Sequence, residues 1–270
     1  EQQAEVMQKL SATDAALIFQ EMEDFEQAEI LRLLEPERAK EILYHMAPDD
    51  AADLVGELTP EEAGQLMTLI GEDESFDLGG LLEYPEESAG GIMTTEYISL
   101  PADIPGEEAI ARLREIAPEA ETIYYVYVVD GEGKLIGVIS LRDLIAAADG
   151  TLLKEIMRRN IINVNAQLDQ EEVARVVSKY DLLAVPVVDD QGRLLGIITV
   201  DDVIDVLEQE ATEDIYRLAG ASEVEGVELT EASVGKVVRL RLPWLLISMA
   251  GGILSGSVIG VYEDTLHAIV

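Results

Sequence analysis

The chain contains no cysteine, only two histidines and one tryptophan, and just 18 basic residues in 270. Without cysteine there is no disulfide, no thiolate nucleophile and no cysteine zinc site. The histidines, His45 and His267, are far apart in sequence and form no metal-ligand spacing. Against the 18 basic residues stand 55 acidic ones, a formal charge of -37. That sign excludes a nucleic-acid backbone as the default partner, because phosphate contacts need a basic surface. Divalent cations suit it better, since they relieve self-repulsion. Aromatics make up 5% of residues, yet 48% are apolar, so the composition does not read as disorder. Glu1 to Leu10 is polar and acidic and has no signal-peptide character. No Walker loop is present, so ATP hydrolysis is not indicated. No nucleophile–base arrangement stands out, and the chain is not expected to be an enzyme.

Long apolar runs are also scarce, with one exception. Leu242 to Tyr262 carries no charge across 21 residues. As a helix it spans roughly 30 Å, the thickness of a hydrocarbon core. Arg239 and Arg241 precede it, and Glu263 and Asp264 follow. Basic residues favour the cytoplasmic side, which puts residues 1–241 in the cytoplasm of a protein of the inner (plasma) membrane. Gly252, Gly256 and Gly260 share one face with Ser248, a pattern for close helix contact in the bilayer. With no carboxylate in its interior, this helix is not expected to coordinate ions.

Residues 1–88 hold 24 acidic and four basic residues. Apolar residues recur at helical spacing, as in Ala39, Ile42, Leu43, Met46 and then Ala51, Leu54, Val55, Leu58. Breaks recur at Pro36, Pro48 and Pro60, each followed by an acid that suits a helix first turn. The period of about 12 predicts short antiparallel helices stacked into a small superhelix. Asp49 and Asp53 lie i,i+4 and share a face. Their mutual repulsion would turn to attraction around a divalent cation; helix-start capping by one of them is the alternative.

Residues 89–208 contain a tandem repeat. Val129, Asp130, Gly137, Ser140 and Asp143 recur 59 residues later as Val188, Asp189, Gly196, Thr199 and Asp202. Ile92-Met93 and Ile156-Met157 are offset by 64. Each copy reads as extended lead-in, helix, strand, glycine-containing turn, strand, helix. Two such α/β halves pack about a pseudo-twofold axis. Thr199 and Asp202 sit three apart at a strand-to-helix junction, where they form a capping arrangement that needs no ligand.

From Asp201 to Glu231 there are 11 acidic residues and one basic residue, Arg217. Asp201, Asp205 and Glu208 fall on one helical face. Val234 to Leu240 is apolar and basic, as in an amphipathic helix at a membrane surface.

The repeat resembles a tandem pair of cystathionine-β-synthase (CBS) domains. Together with YPEESAGGIMTTEY at 84–97, AETIYYVYVVD at 120–130 and the acidic run at 169–220, it is similar to the cytoplasmic region of the MgtE family of magnesium transporters. The resemblance implies a multidomain chain: an all-α superhelical N domain (1–88), an α/β CBS pair (89–148 and 149–208), a connector with a plug helix (209–241), one transmembrane helix (242–262) and a short remainder (263–270). It implies a Mg²⁺-sensing regulatory region of a homodimeric channel or transporter, closing the pore when cytoplasmic Mg²⁺ is high. Mg²⁺ would fill acidic seams lined by Asp49, Asp53, Asp189, Asp201, Glu223, Glu225 and Glu231. Leu17 and Gln191 stand where acids are expected, which leaves fewer or shifted ligands. In nucleotide-binding CBS domains a threonine and aspartate placed like Thr199 and Asp202 hold ribose and phosphates, so an adenosine nucleotide such as ATP is a second candidate ligand. The alternative function is therefore a nucleotide-sensing CBS module of a membrane protein.

Overall fold

A computed structural model describes residues 2–20, 22, 24–70, 78–116, 120, 122–218 and 234–261. The chain divides into two compact units, Glu1–Glu208 and Gln209–Val270.

The first unit opens with seven helices: α1 Gln2–Met7, α2 Ala12–Gln20, α3 Asp24–Leu33, α4 Pro36–Leu43, α5 Pro48–Gly56, α6 Pro60–Ile70 and α7 Leu78–Leu81. Three of them begin at the prolines spaced 12 apart. Proline suits the first helical position because its missing N–H would have no partner there. Thr59 and Glu62 add a capping box to α6: the Glu62 carboxylate accepts from Thr59 N (3.0 Å) and Oγ1 (2.8 Å). Each helix packs on the one two places along, α1 on α3, α2 on α4, α3 on α5, α4 on α6 and α5 on α7, which is the expected superhelical stack.

Three of the four cations of this region serve main-chain oxygens near helix C-termini, while Lys9 pairs with Glu5. Arg38 donates to Met7 O (3.0 Å) and Leu10 O (2.7 Å) just beyond α1. Arg32 donates to Glu57 O (2.9 Å) at the end of α5, and Lys40 to Leu69 O (2.6 Å) at the end of α6. These carbonyls lack helical partners and carry partial negative charge.

The repeat forms two three-stranded sheets. The first copy contains β1 Ser99–Pro101, α8 Gly106–Ile116, β2 Tyr125–Val129, β3 Leu135–Ser140 and α9 Leu141–Ala146. The second contains α10 Leu153–Ile156, β4 Val164–Asn165, α11 Gln170–Tyr180, β5 Ala184–Val188, β6 Leu194–Thr199 and α12 Val200–Leu218. In each sheet the first strand runs parallel to the second, and the second antiparallel to the third. The hairpins turn on Gly133 and Gly192, at φ 79° and 78°, a region where glycine carries no Cβ penalty.

The two copies exchange their lead-ins. Thr94 pairs with Ile197 of the second copy (N to O 2.9 Å, and back 3.0 Å), and Arg158 pairs with Val138 of the first (2.9 and 3.0 Å). The hairpin turns also bond across the pseudo-axis, Leu135 N to Gly192 O (3.0 Å) and Leu194 N to Gly133 O (3.1 Å). Met93 lies over Gly196 and Met157 over Gly137, each methionine occupying the space of the absent side chain.

Two apolar cores result. One runs without a break from Ala4 in α1 through Ile42, Leu54 and Leu81 to Val173, Val185, Val203 and Val206 of the second copy. The other, around Leu100, Val126, Ile139 and Leu153, belongs to the first copy. Tyr127, Ala184, Leu194 and Ile197 fill the junction between the sheets.

In the second unit, α13 spans Val234–Val261 and includes Pro243. Its stretch Leu242–Gly260 is long and apolar enough to cross a bilayer. The expected connector is shared between helices: its start continues α12 to Leu218, and Val234 onward opens α13 without a break at residue 241.

A Cβ at Gly196 would stand 2.6 Å from the Thr94 carbonyl oxygen, a rigid backbone atom, whereas at Gly137 it meets only the flexible Met157 side chain. Gly196→Ala is expected to lower stability by about 1–3 kcal/mol, the usual range for overpacking, and Gly137→Ala by less. Urea unfolding of the two variants checks the order.

Candidate functional site

The carboxylates single out the join between the helical region and the second repeat copy. Helix α5 begins at Pro48, and its first turn carries Asp49 and Asp50, which complement the helix dipole. Asp49 is buried and Asp53, one turn on, is exposed, so the face they share runs from interior to solvent. Asp50 accepts a hydrogen bond from Gln20 Nε2 (2.7 Å).

Helix α12 brings Asp201 and Asp202 in its first turn, then Asp205 and Glu208. Asp202 Oδ2 accepts from Thr199 N (3.0 Å) and from Thr199 Oγ1. Burial pushes the Asp202 carboxyl above the ordinary aspartate range; the Thr199 bonds oppose this, while Asp201 and Asp50 push it further up. Asp50 therefore lies close enough to Asp202 for their charges to interact across the join. Asp205 is raised as well, by burial first and then by Glu208 and Asp201. Asp50, Asp201, Asp202, Asp205 and Glu208 thus form a like-charged seam.

Asp50 was not among the residues predicted to line a seam. Spacing along α5 gives no reason to prefer it; only packing of α5 near α12 selects it. Asp205 and Glu208 were legible as sharing a face with Asp201. Among the described residues no three His, Asp or Glu side chains converge closely enough to hold a bare metal ion. The seam supplies charge rather than a ready-made inner coordination shell.

Asp189 sits elsewhere, in the hairpin turn after β5. Its Oδ1 accepts from Gln191 N (2.8 Å) and Arg193 N (2.9 Å), and its Oδ2 from Arg193 Nε (2.7 Å). Desolvation opposes ionisation there, but the bonds from Arg193 and Gln191 outweigh it and hold the carboxyl below its usual range. Asp130 holds the equivalent turn of the first copy through Glu132 N (2.9 Å) and Lys134 N (3.0 Å). A cation at Asp189 would compete with Arg193. Glu223, Glu225 and Glu231 lie outside the described residues.

The two strand-to-helix junctions divide a capping box between them. In the second copy the N3 side chain, Asp202, accepts from the N-cap residue, Thr199. In the first copy the N-cap side chain, Ser140 Oγ, accepts from Asp143 N (3.1 Å). The Asp143 carboxylate is turned instead to Arg158 Nη2 (3.2 Å), on the exchanged lead-in. The position matching Arg158 in the other lead-in is Thr94.

Residues 1–87 match the MgtE intracellular N domain, and residues 89–150 and 153–209 each match the CBS domain. Over 193 residues the chain is 47% identical to the magnesium transporter MgtE of Thermus thermophilus, covering 72% of this chain and 43% of that protein. The crystal structure of the soluble part of a magnesium transporter superposes with a TM-score of 0.72 at 43% identity, over 76% of this chain and 81% of that one. The chain belongs to the MgtE family. The cytosolic domain of the Mg²⁺ channel MgtE in complex with ATP is equally similar, with a TM-score of 0.72 at 43% identity, covering 76% of this chain and 84% of that chain. The stretch that matches spans less than half the length of the Thermus thermophilus transporter. The relatives that match over most of it are magnesium transporters, not enzymes.

The seam has a pH signature. Asp202 and Asp205 bind protons more tightly in the folded chain than unfolded, so their contribution lowers stability as pH rises from the ordinary aspartate value, about 4, through their raised folded values. Acidification through that window restores it. Carboxyls held low, such as Asp189, act with the opposite sign and lose their stabilisation as pH falls. Asp205→Asn should therefore raise stability at pH 7 without divalent metal, by about 0.2–1 kcal/mol, the scale of exposed charge interactions. The gain should fade toward pH 4. Denaturation of both proteins across that range checks it.

Proposed function

We propose that this chain is the Mg²⁺-sensing regulatory region of a magnesium channel or transporter, with residues 1–241 in the cytoplasm and the Leu242–Gly260 stretch of α13 in the inner membrane. The seam of Asp50, Asp201, Asp202, Asp205 and Glu208 carries this reading. Mg²⁺ prefers oxygen ligands and dehydrates reluctantly, so it suits carboxylates that gather charge without closing an inner shell. Asp49 and Asp53 on α5 and Asp201 on α12 extend the acidic faces available to hydrated ions; Asp189, Glu223, Glu225 and Glu231 remain proposed ligands from the family resemblance. Several weak sites of this kind respond to a metal present at millimolar concentration. With the ions in place the join stays closed and the pore is held shut; without them the like charges drive the two faces apart and the pore is released.

The surface of the repeat supports a homodimer. Tyr124 and Ile145 of the first copy are exposed, as are their counterparts Leu183 and Ile204, 59 residues on. The backbone repeats the match, with Leu141 N bonded to Tyr124 O and Val200 N to Leu183 O. Two equivalent apolar patches on one chain suit a second copy of that chain as partner.

An adenosine nucleotide is the second ligand we propose, because a similar cytosolic domain is known in complex with ATP and Thr199 and Asp202 stand in the matching arrangement. Asp202 Oδ2 takes both bonds from Thr199, which leaves Oδ1 to accept a ribose hydroxyl. In the first copy the Asp143–Arg158 pair competes for the equivalent carboxylate.

Titration calorimetry of the full chain in detergent should show several weak Mg²⁺ events, and millimolar Mg²⁺ should slow proteolysis several-fold. Proteolysis unchanged across the millimolar range would remove the sensing role. ATP binding in the same preparation should be lost in Thr199→Ala, which removes no seam carboxylate, while the Mg²⁺ protection persists; loss of both would tie them to one site.

A further inference from the structure

Elsewhere this chain pairs a helical cation with an acid four residues earlier. Lys9 meets Glu5 at the end of α1, Arg112 meets Glu108 on α8, and Arg175 meets Glu171 on α11. That order, with the acid on the N-terminal side, is the favourable one on a helix.

Helix α13 departs from the habit. Its only charged residues are Lys236, Arg239 and Arg241. The positions four residues before them hold Ala232, Gly235 and Val237, and no acid stands between Glu231 and Glu263. Lys236 and Arg239 are instead three apart, a spacing at which like charges repel. In a chain with 55 acidic residues, these three cations have no acid on their own helix.

The backbone sets their level. Helix α13 runs unbroken from Val234 to Val261, and Leu242–Gly260 is its stretch long and apolar enough to cross a bilayer. For a helix along the bilayer normal, Arg241 lies about 1.5 Å before that stretch, Arg239 about 4.5 Å and Lys236 about 9 Å. The headgroup layer is about 5–8 Å deep on each face. The two arginines therefore stand within it and the lysine at its outer edge. Pro243 agrees with this level. It has no N–H to give the Arg239 carbonyl, a loss that is costly in hydrocarbon and tolerable where water reaches. Trp244, exposed and the one tryptophan of the chain, is a residue type enriched at the membrane–water boundary.

We propose that the opening turns of α13 bind anionic lipid headgroups, with Lys236, Arg239 and Arg241 supplying the positive charge. This rests on the reading of Leu242–Gly260 as a membrane span and names the lipid it selects. The headgroup phosphate does for these cations what a glutamate four residues earlier does elsewhere in the chain. A zwitterionic lipid is the weaker partner, because its own ammonium offsets its phosphate. The rest of the chain is so acidic that an anionic surface repels it, which leaves this short basic segment as the part such a surface attracts.

The single tryptophan makes the test direct. The full chain is reconstituted in mixed phosphatidylcholine and phosphatidylglycerol vesicles in which one lipid or the other carries brominated acyl chains. Quenching of Trp244 fluorescence then reads which lipid lies against α13. Brominated phosphatidylglycerol is expected to be favoured by about five-fold at low salt, the scale of one basic residue at an anionic surface. The preference should vanish when Lys236→Gln, Arg239→Gln and Arg241→Gln are combined. It should survive Arg239→Lys with Arg241→Lys, since charge is the determinant. Equal quenching by the two lipids overturns the proposal while leaving the span in place. A preference that persists in the triple glutamine variant, or that dissolved glycerol phosphate abolishes at matched ionic strength, overturns it as well. If neither lipid quenches, α13 is not in the bilayer, and the reading of the span fails together with the proposal.

Discussion

Apolar burial and carboxylate repulsion act against each other where α5 meets α12. Val203 and Val206 on α12 and Leu54 and Val55 on α5 are buried in one continuous core, and each such side chain contributes about 1.5–3 kcal/mol when fully removed from water. The same packing carries Asp50 into the field of Asp202. A few partly solvated like-charge contacts cost less than the burial of the whole core, so the helical region and the repeat each stay folded with their acids unneutralised. In the proposed sensing role, divalent ions would shift the balance at the join between them. The proposed sensing role rests on this balance: an interface stable enough to form, with a repulsive component that a ligand would remove.

The helical region sharpens the effect through the use of its cations. Arg32, Arg38 and Lys40 donate to main-chain carbonyls near helix ends, and Arg32 and Arg38 also meet the acids Glu62 and Glu41. They stabilise the stack while leaving the negative surface largely unopposed. Glu62 has a structural role, closing the capping box of α6 and meeting Arg32 at 3.4 Å. Where acids are needed for folding they are engaged locally; along the join Asp50 and Asp202 also accept hydrogen bonds, yet their like charges still interact.

Much of this was legible in sequence because it depends on local chemistry. Pro36, Pro48 and Pro60 announced helix starts, and the 59-residue match of Gly137 with Gly196 and Asp130 with Asp189 announced two like sheets. The offset of 64 for the lead-ins foreshadowed a separate piece, but not its exchange, since a pairing such as Thr94 with Ile197 leaves no periodic trace. The part played by Asp189 was obscured for the same reason. An aspartate three residues before a turn glycine and four before an arginine satisfies its own hairpin, and only geometry shows both oxygens engaged. Asp50 is the clearest case of a residue hidden from pattern reading. Its neighbour Asp49 looked equally suitable, and which of the two faces α12 is decided by packing between elements roughly 150 residues apart in sequence.

The exchanged lead-ins have an evolutionary corollary. The groove over Gly137 is filled by Met157, and that over Gly196 by Met93, so neither repeat closes with its own leader. A half-length ancestor with one repeat could have reached the same packing by trading leaders with a twin. Gene duplication would then have fused an existing two-chain assembly into one polypeptide, after which the halves were free to diverge: one kept an arginine at the crossing, and the other a threonine.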